Sequence, residues 1–166
     1  MGDAKCHSGL MTASAAVGAD PAAVYRAFLE ALNAQDLAAA ARVVDTAHYR
    51  ENCVGFTKGF VGWEDAQASL REVWKGLPNL RVEITDVQAG ESSAIAHGTV
   101  RGTNLGKLYG APATKKSYEA SFFDWVRLDD GLIVERVQQS DVLGQMRQLY
   151  GKVFGLVGLG AMLARL

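Results

Sequence analysis

The chain has 166 residues, of which 49% are hydrophobic and 21% are charged, and its formal net charge is -1. This length fits one domain around one hydrophobic core. The near-neutral charge, with no basic stripe, argues against nucleic-acid binding. Cys6 and Cys53 form neither a disulfide pattern nor a metal-binding pattern, so we expect a reducing, cytoplasmic location.

The predicted domain occupies residues 20–150 and leaves a segment at each end. Residues 1–19 contain one cation and no unbroken apolar run, which is typical of a flexible tail rather than a secretory signal. Residues 151–166 are apolar and glycine-rich but short for a membrane span. We expect them to dock on the domain or on a dimer partner, without stable membrane insertion. An interfacial anchor is the alternative.

The first half of the chain predicts three helices and one strand. Asp20 and Pro21 are typical of a helix start, and apolar residues then recur at helical spacing, so residues 21–45 predict a helical pair that covers a cavity. Residues 49–56 lose this spacing and predict a short strand. Residues 64–75 restore it and predict the third helix.

The second half predicts an antiparallel meander. Four segments have strand character: residues 80–88, 93–103, 118–128 and 132–139. Asp129-Asp130-Gly131 supplies a hairpin turn between the last two. Because each face of a sheet must be covered or polar, we expect a long curved antiparallel sheet with three helices on its concave face.

The main candidate for chemistry follows the last strand. Strand alternation puts Glu135 and Gln139 on one face, and Asp141 comes at the strand end, before a helical run. If that face is concave, these side chains converge on the cavity, where desolvation raises the pKa of a carboxyl group and suits it to accept and return a proton. Asp141 also fits a helix N-cap, a compatible role worth about 1 kcal/mol that requires no function.

Other side chains are candidates for substrate binding because they are polar or aromatic: Tyr49, Asn52, Trp63, Phe123 and Trp125. Alternation along the first strand does not decide whether Tyr49 and Glu51 or Asn52 point inward. The aromatic residues suit a flat ligand, but aromatic residues at strand spacing more often belong to an ordinary core. The histidines are scattered and the common nucleotide, hydrolase and zinc motifs are absent from the sequence, so we expect no metal and no cofactor.

Several motifs, taken in chain order, resemble the SnoaL-like polyketide cyclases. They are the Leu77-Pro78-Asn79-Leu80-Arg81 turn, the RGTNLGKLYG stretch at residues 101–110 followed by Pro112 and Thr114, the RLDDGLIVE hairpin, and Asp141 followed by Gln148-Leu149. With the first helix, the similarity spans about residues 21–151.

The resemblance implies a nuclear-transport-factor-2-like fold, which is a cone-shaped α+β barrel that encloses a pocket and is usually dimeric through its sheets. It implies intramolecular aldol ring closure of polyketide esters without cofactor or metal. The family's catalytic aspartate corresponds to Asp141, which would remove the acidic proton between two carbonyls and protonate the oxygen of the attacked carbonyl. Four positions depart from the family pattern: Asn104 replaces a histidine, Ala113 a proline, Lys115 a glycine and Val137 a tryptophan. Asn104 is a candidate for substrate binding, because an asparagine can polarise an oxygen although it cannot titrate.

Three functions therefore stay open. The first, which we adopt, is a cyclase of polyketide or related natural-product biosynthesis, including antibiotic biosynthesis. The second is an epoxide-opening enzyme on the same fold, in which Asp141 works with a second acid such as Glu135, and Tyr49 or Asn52 orients the nucleophile. The third is a pocket that binds a hydrophobic small molecule without catalysis. A second carboxylate on the same cavity would favour epoxide chemistry.

Overall fold

The structure of the protein, a computed structural model, describes residues 19–55 and 59–151. Its elements follow in this order: α1 (Pro21–Asn33), α2 (Leu37–Ala41), β1 (Arg50–Cys53), α3 (Trp63–Gly76), β2 (Arg81–Ala89), β3 (Ser93–Thr103), β4 (Ser117–Asp129), β5 (Leu132–Ser140) and α4 (Val142–Tyr150). The predicted α+β class is confirmed. The predicted N-terminal tail and apolar C-terminal segment lie outside the described residues, apart from Ala19 and Gly151.

Local side-chain chemistry accounts for where the first helices begin. The Asp20 carboxylate accepts a hydrogen bond from the backbone N–H of Ala22 at 3.0 Å, and the Asp36 carboxylate accepts one from Ala39 at 2.8 Å. These bonds satisfy amide groups that the first helical turn leaves without partners. Within the described residues, no helix is both long and apolar enough to cross a membrane.

The five strands form one sheet in the order β1-β5-β4-β3-β2. Strands β2 to β5 pair antiparallel as the meander predicts, whereas β1 pairs parallel to β5. The two outermost described strands, β1 and β2, do not pair with each other, so the sheet is open and does not close into the predicted barrel.

Strand β4 shows how the sheet separates a core face from an outer face. From Tyr118 to Leu128, every second residue is buried, and the residues between them are exposed or half-buried. Phe122, Val126 and Leu128 share one apolar cluster with the fully buried Tyr25 and Phe28 of α1. Tyr118 and Ala120 pack in a second cluster, with Leu77 and Leu108. Because successive strand residues point to opposite faces, this alternation fixes which side chains reach the interior.

The β4–β5 hairpin contains an irregularity that determines the site. Asp130 and Gly131 both have a left-handed backbone, as a two-residue hairpin turn requires, which confirms the predicted turn. Leu128 pairs with Ile133 and Arg127 pairs with Glu135, so Val134 is an extra residue in β5. Such a β-bulge reverses the faces of all residues beyond it.

Candidate functional site

A cavity of about 120 Å³ lies between the helices and the core face of the sheet. It is similar in size to the apolar cavities of about 150 Å³ that hold a benzene ring. Most of its wall is apolar: Leu32, Ala66, Leu70, Val73, Trp74, Leu77, Leu80, Val82, Val100, Leu108, Met146 and Leu149. The polar part consists of Asn33, Glu51, Cys53, Ser69, Tyr109, Tyr118, Arg136, Gln138, Ser140 and Gln145. An apolar cavity with a few polar groups is typical of a small-molecule site.

Arg136 on β5 is the centre of the polar wall. It is 4% exposed, and its Nη1 donates a hydrogen bond to Oε2 of Glu51 at 3.0 Å. Its Nε and Nη2 lie 2.8 Å and 2.7 Å from Oδ2 of Asp124. Because both carboxyl groups are buried as well, one guanidinium compensates two acidic groups inside the protein.

Glu51 accepts further hydrogen bonds from its neighbours on the chain. The Tyr49 hydroxyl donates to Oε2 of Glu51 at 2.5 Å, and the Cys53 thiol donates to Oε1 at 3.1 Å. The Tyr25 hydroxyl donates to Asp124 on the other side of the guanidinium. Both carboxyl groups are thereby held in fixed positions.

The neighbours of Glu51 keep it ionised. Burial raises the pKa of Glu51, but the Arg136 charge and the hydrogen bonds from Tyr49, Cys53 and Arg136 outweigh burial, so the net pKa is lowered. Burial and the Glu51 charge raise the pKa values of Tyr49 and Cys53, so both stay protonated donors. Of this cluster, Glu51, Cys53 and Arg136 line the cavity. An ionised carboxylate on an apolar wall can accept a proton from a bound molecule, and the lowered pKa makes Glu51 a weaker base than a carboxylate without these partners.

Asp141 lies at the start of α4 and is exposed. Its Oδ1 accepts a hydrogen bond from the backbone N–H of Gly144 at 2.8 Å, which is the geometry of an N-cap. Ser140 and Gln145 beside it line the cavity, whereas Asp141 does not. The N-cap role is therefore confirmed, and the catalytic role of Asp141 stays a prediction.

Glu135 and Gln139 lie on the opposite face from the one predicted. Glu135 forms an ion pair with Arg127 at 3.2 Å, and Gln139 is exposed. The bulge at Val134 is the physical reason, because it turns Arg136, Gln138 and Ser140 into the cavity instead.

Asn104 does not line the cavity and has a structural role instead. It is fully buried, and its Nδ2 donates to the carbonyl oxygens of Gly76 and Gly106 at 3.3 Å and 2.8 Å. Its Oδ1 accepts from the backbone N–H of Thr114 at 2.8 Å. These bonds join the loop at residues 104–116 to the end of α3, so its amide serves to hold that loop.

The remaining candidates also lie off the cavity wall. Trp63 is buried and meets Tyr49 edge to face, with ring centroids 5.4 Å apart. Tyr49 stands behind Glu51, and Asn52 is half-buried on β1. Phe123 is 55% exposed and Trp125 is half-buried on the outer face of the sheet. Of the first-strand residues, Glu51 and Cys53 are the ones that reach the cavity.

Sequence reasoning missed Arg136 and Asp124. A signal for Asp124 was present, since it alternates with Phe122 and Val126 on a strand face that is otherwise apolar. A buried carboxyl group requires a cationic or hydrogen-bonding partner, and Arg136 lies on the adjacent strand. Three successive apolar residues, 132–134, were the sign of the bulge that brings Arg136 inward.

The helices and the sheet of this α+β fold enclose an apolar cavity that contains an ionised carboxylate. This arrangement is typical of proteins that bind small molecules in an internal pocket. The chain belongs to the SnoaL-like polyketide cyclase family, whose family model matches residues 22–149. No curated protein matches the chain.

Solved structures share this fold. IdmH from Streptomyces antibioticus, a proposed polyketide cyclase, is 19% identical, with a TM-score of 0.70 over 77% of this chain and 96% of that one. AclR from Streptomyces galilaeus, a proposed hydroxylase, is 19% identical, with a TM-score of 0.69 over 87% and 92%. An NTF2-like protein from Burkholderia pseudomallei is 16% identical, with a TM-score of 0.67 over 80% and 99%. The nuclear-transport-factor-2-like fold implied by the sequence is thus confirmed.

Proposed function

We propose that the protein is a cofactor-independent cyclase that closes a ring in a small polyketide-like substrate by acid–base catalysis, with Glu51 as the base. The observation that carries the proposal is the ionised Glu51 carboxylate on the wall of an otherwise largely apolar cavity. Family membership supports the reaction class. The cavity supports it as well, because an apolar wall favours a folded, uncharged carbon chain over an extended one in water.

The reaction follows from the position of Glu51. The carboxylate takes a proton from the carbon between two carbonyl groups of the substrate. The electron pair of that C–H bond forms a C–C bond to a third carbonyl carbon, and the π electrons of this carbonyl move to its oxygen. The proton held by Glu51 then passes to that oxygen, so the carboxylate is regenerated and the product is a cyclic hydroxyketone.

Asp141 is the competing assignment, and the resemblance to the family supports it. Its carboxylate already accepts the Gly144 N–H and faces outward, whereas the Glu51 carboxylate faces the cavity. Geometry therefore favours Glu51, and the two assignments predict different mutants to be inactive.

Nonane-2,4,8-trione tests the proposal, because it has one acidic carbon between two carbonyls and a third carbonyl at the distance for a six-membered ring. We expect the wild type to form 2-acetyl-3-hydroxy-3-methylcyclohexanone faster than buffer does, measured by NMR. Glu51→Gln is expected to lower kcat by about 10²-fold or more, the usual contribution of a positioned base. Asp141→Asn is expected to retain most of the activity.

Asp141→Asn is the matched control, since both substitutions replace a carboxylate by its amide. Circular dichroism establishes that each variant is folded. Loss of activity in Asp141→Asn with full activity in Glu51→Gln would transfer the role to Asp141. No acceleration by the wild type would count against ring closure of this kind.

Epoxide opening is the second candidate. Of the two carboxyl groups beside Arg136, Glu51 lines the cavity and Asp124 does not, which favours ring closure over this second reaction. In this reaction Glu51 would take a proton from water as the water oxygen attacks an epoxide carbon. The C–O bond of the epoxide then breaks, and its oxygen receives the proton back from Glu51, which gives the diol and regenerates the carboxylate. Conversion of cyclohexene oxide to the diol, with no ring closure of the trione, would select this candidate.

A further inference from the structure

Tyr109 is a polar group on the cavity wall that the proposed mechanism has not yet used. It lies in the loop between β3 and β4, at residues 104–116. The backbones of Leu108 and Ala111 exchange hydrogen bonds of 3.0 Å and 2.9 Å across it. Tyr109 and Gly110 between them have φ values of 48° and 86°, as in a two-residue hairpin turn.

A left-handed backbone is unfavourable for tyrosine, so the surroundings must hold it. Leu108, the preceding residue, is buried against the end of α3, where a Cβ on Gly76 would come within 2.8 Å of it. Asn104 holds the start of the loop to the same helix end. The turn therefore presents Tyr109 to the cavity in one fixed direction.

The Tyr109 hydroxyl has a defined position opposite α3. It lies 3.2 Å from the hydroxyl of Ser69, which also lines the cavity. Burial raises the pKa of Tyr109, the hydrogen bond to Ser69 lowers it, and the nearby Cys53 and Glu51 raise it further. The net pKa is raised, so the phenol stays protonated. Tyr109 and Glu51 both line this cavity, so a ligand bound there lies between the two groups or beside them.

We propose that Tyr109 donates a hydrogen bond to the substrate oxygen that becomes negatively charged when Glu51 takes a proton. This inference rests on the proposed function. When the C–H bond breaks, its electron pair delocalises onto the adjacent carbonyl oxygen, and the Tyr109 O–H stabilises that oxygen without giving up its proton. A fixed donor at such an oxygen contributes to catalysis because it needs no rearrangement as charge develops.

Tyr118 is the competing donor on the same wall. It is 6% exposed and packs with Leu77 and Leu108 in an apolar cluster that Tyr109 also contacts. Its pKa is raised by burial and by Tyr109. Tyr109 is the better assignment because its hydroxyl lies 3.2 Å from the hydroxyl of Ser69, which is also on the cavity wall.

A binding experiment tests the donor apart from turnover. Cyclohexanone labelled with ¹³C at the carbonyl is titrated with wild-type protein, Tyr109→Phe, Tyr118→Phe and Tyr150→Phe. We expect the carbonyl resonance of the bound ligand to lie further upfield in Tyr109→Phe than in the wild type, because the carbonyl loses its donor. In Tyr150→Phe, whose phenol is not on the cavity wall, the wild-type position should be retained. If Tyr118→Phe, rather than Tyr109→Phe, moves the carbonyl resonance upfield, the proposal is overturned. It is also overturned if the ligand shows no saturable binding.

Kinetics with nonane-2,4,8-trione provides the second measurement. Tyr109→Phe is expected to lower kcat by about 10²-fold with little change in KM, as removal of one such donor does elsewhere. Tyr150→Phe, outside the cavity wall, is the control for loss of a phenol. Ser69→Ala removes the partner of the Tyr109 hydroxyl and should give a smaller decrease in kcat. This variant tests the role of Tyr109 if Tyr109→Phe does not fold.

The outcomes separate this inference from the proposed function. Ring closure that depends on Glu51 but not on Tyr109 would overturn the role of Tyr109 alone. A Tyr109-dependent carbonyl shift without any ring closure would overturn the cyclase assignment and leave Tyr109 as the donor of this binding site.

Discussion

At the scale of single residues, Arg136 determines how the site is ionised. It is buried between Glu51 and Asp124, and its own pKa is raised by these two groups although burial alone lowers it. Removing one partner of a buried ion pair costs about 3–5 kcal/mol because a charge is left without compensation. The three side chains therefore act as one unit, and the properties of Glu51 depend on the other two.

The lowered pKa of Glu51 links this unit to pH. A carboxyl group whose pKa is lower in the folded state stabilises that state fully above its unfolded pKa, about 4.3 for glutamate. This contribution is lost as the pH falls through the folded pKa, because the unfolded state then binds the proton more tightly. We therefore expect the free energy of unfolding of Glu51→Gln to decrease less than that of the wild type as the pH falls below about 5.

Urea unfolding at a series of pH values measures this difference. Glu91→Gln provides the control, since Glu91 is exposed in the turn between β2 and β3, and its profile should follow the wild type. Parallel profiles for the wild type and Glu51→Gln would mean that Glu51 is not held ionised by its neighbours.

At the scale of elements, the loop at residues 104–116 depends on a close approach to α3. The backbone amides of Leu105 and Gly106 donate to the carbonyl oxygen of Gly76 at 3.0 Å and 3.1 Å. A Cβ added to Gly106 would lie 2.0 Å from the carbonyl oxygen of Lys75. Since that atom belongs to the backbone of a helix, it cannot move aside as a flexible side chain does.

We expect Gly106→Ala to lower the free energy of unfolding by about 1–3 kcal/mol or more, the cost of inserting a group into a packed site. Thermal unfolding measures the effect. Gly90→Ala is the matched control, because Gly90 has only ordinary contacts around the added carbon, the nearest being the Ser93 hydroxyl at 3.4 Å. Equal Tm values for the two variants would show that the loop does not approach α3 as closely as the structure has it.

The sequence predicted the elements well because their signals are local. The caps at Asp20 and Asp36, the turn at Asp130-Gly131 and the alternation of β4 each depend on residues close together in the chain. The predicted helix at residues 64–75 lies within α3, and the other boundaries agree within a few residues. The parallel pairing of β1 with β5 joins residues more than 80 positions apart, and no local pattern encodes it.

The site was harder to predict than the fold because one extra residue in β5 changes which side chains of that strand face the cavity. Strand alternation counted from Ile133 predicted that Glu135 and Gln139 point inward. Because Val134 is an extra residue, Arg136 and Gln138 point inward instead. Family motifs drew attention to Asp141, which is exposed. The acidic group that reaches the cavity, Glu51, was visible in the sequence, but the strand pattern alone left its direction open.

At the scale of the whole molecule, the outer face of the sheet presents apolar side chains to the surroundings. Phe123 is 55% exposed and Ile95 is 48% exposed, and the His97 ring lies 4.8 Å from the ring of Phe123. Trp125 and Val137 are half-buried beside them on the same face. Apolar residues grouped in this way are typical of an interaction surface. The homodimer implied by the family resemblance stays a prediction, and this face is the surface on which we expect it.

We expect the protein to be a homodimer at micromolar concentration and Phe123→Glu to convert it to a monomer, because two opposed carboxylates would lose solvent on association and repel each other. Sedimentation velocity measures the mass of each form. Leu105→Glu is the control, since Leu105 is 55% exposed but lies in the loop next to α3 rather than on the sheet. A wild type that stays monomeric, or a dimer that Leu105→Glu dissociates and Phe123→Glu does not, would exclude the outer face as the interface. Because Phe123 lies on the face opposite Asp124 and the cavity, the monomeric variant should still bind cyclohexanone, so association and ligand binding can be measured independently.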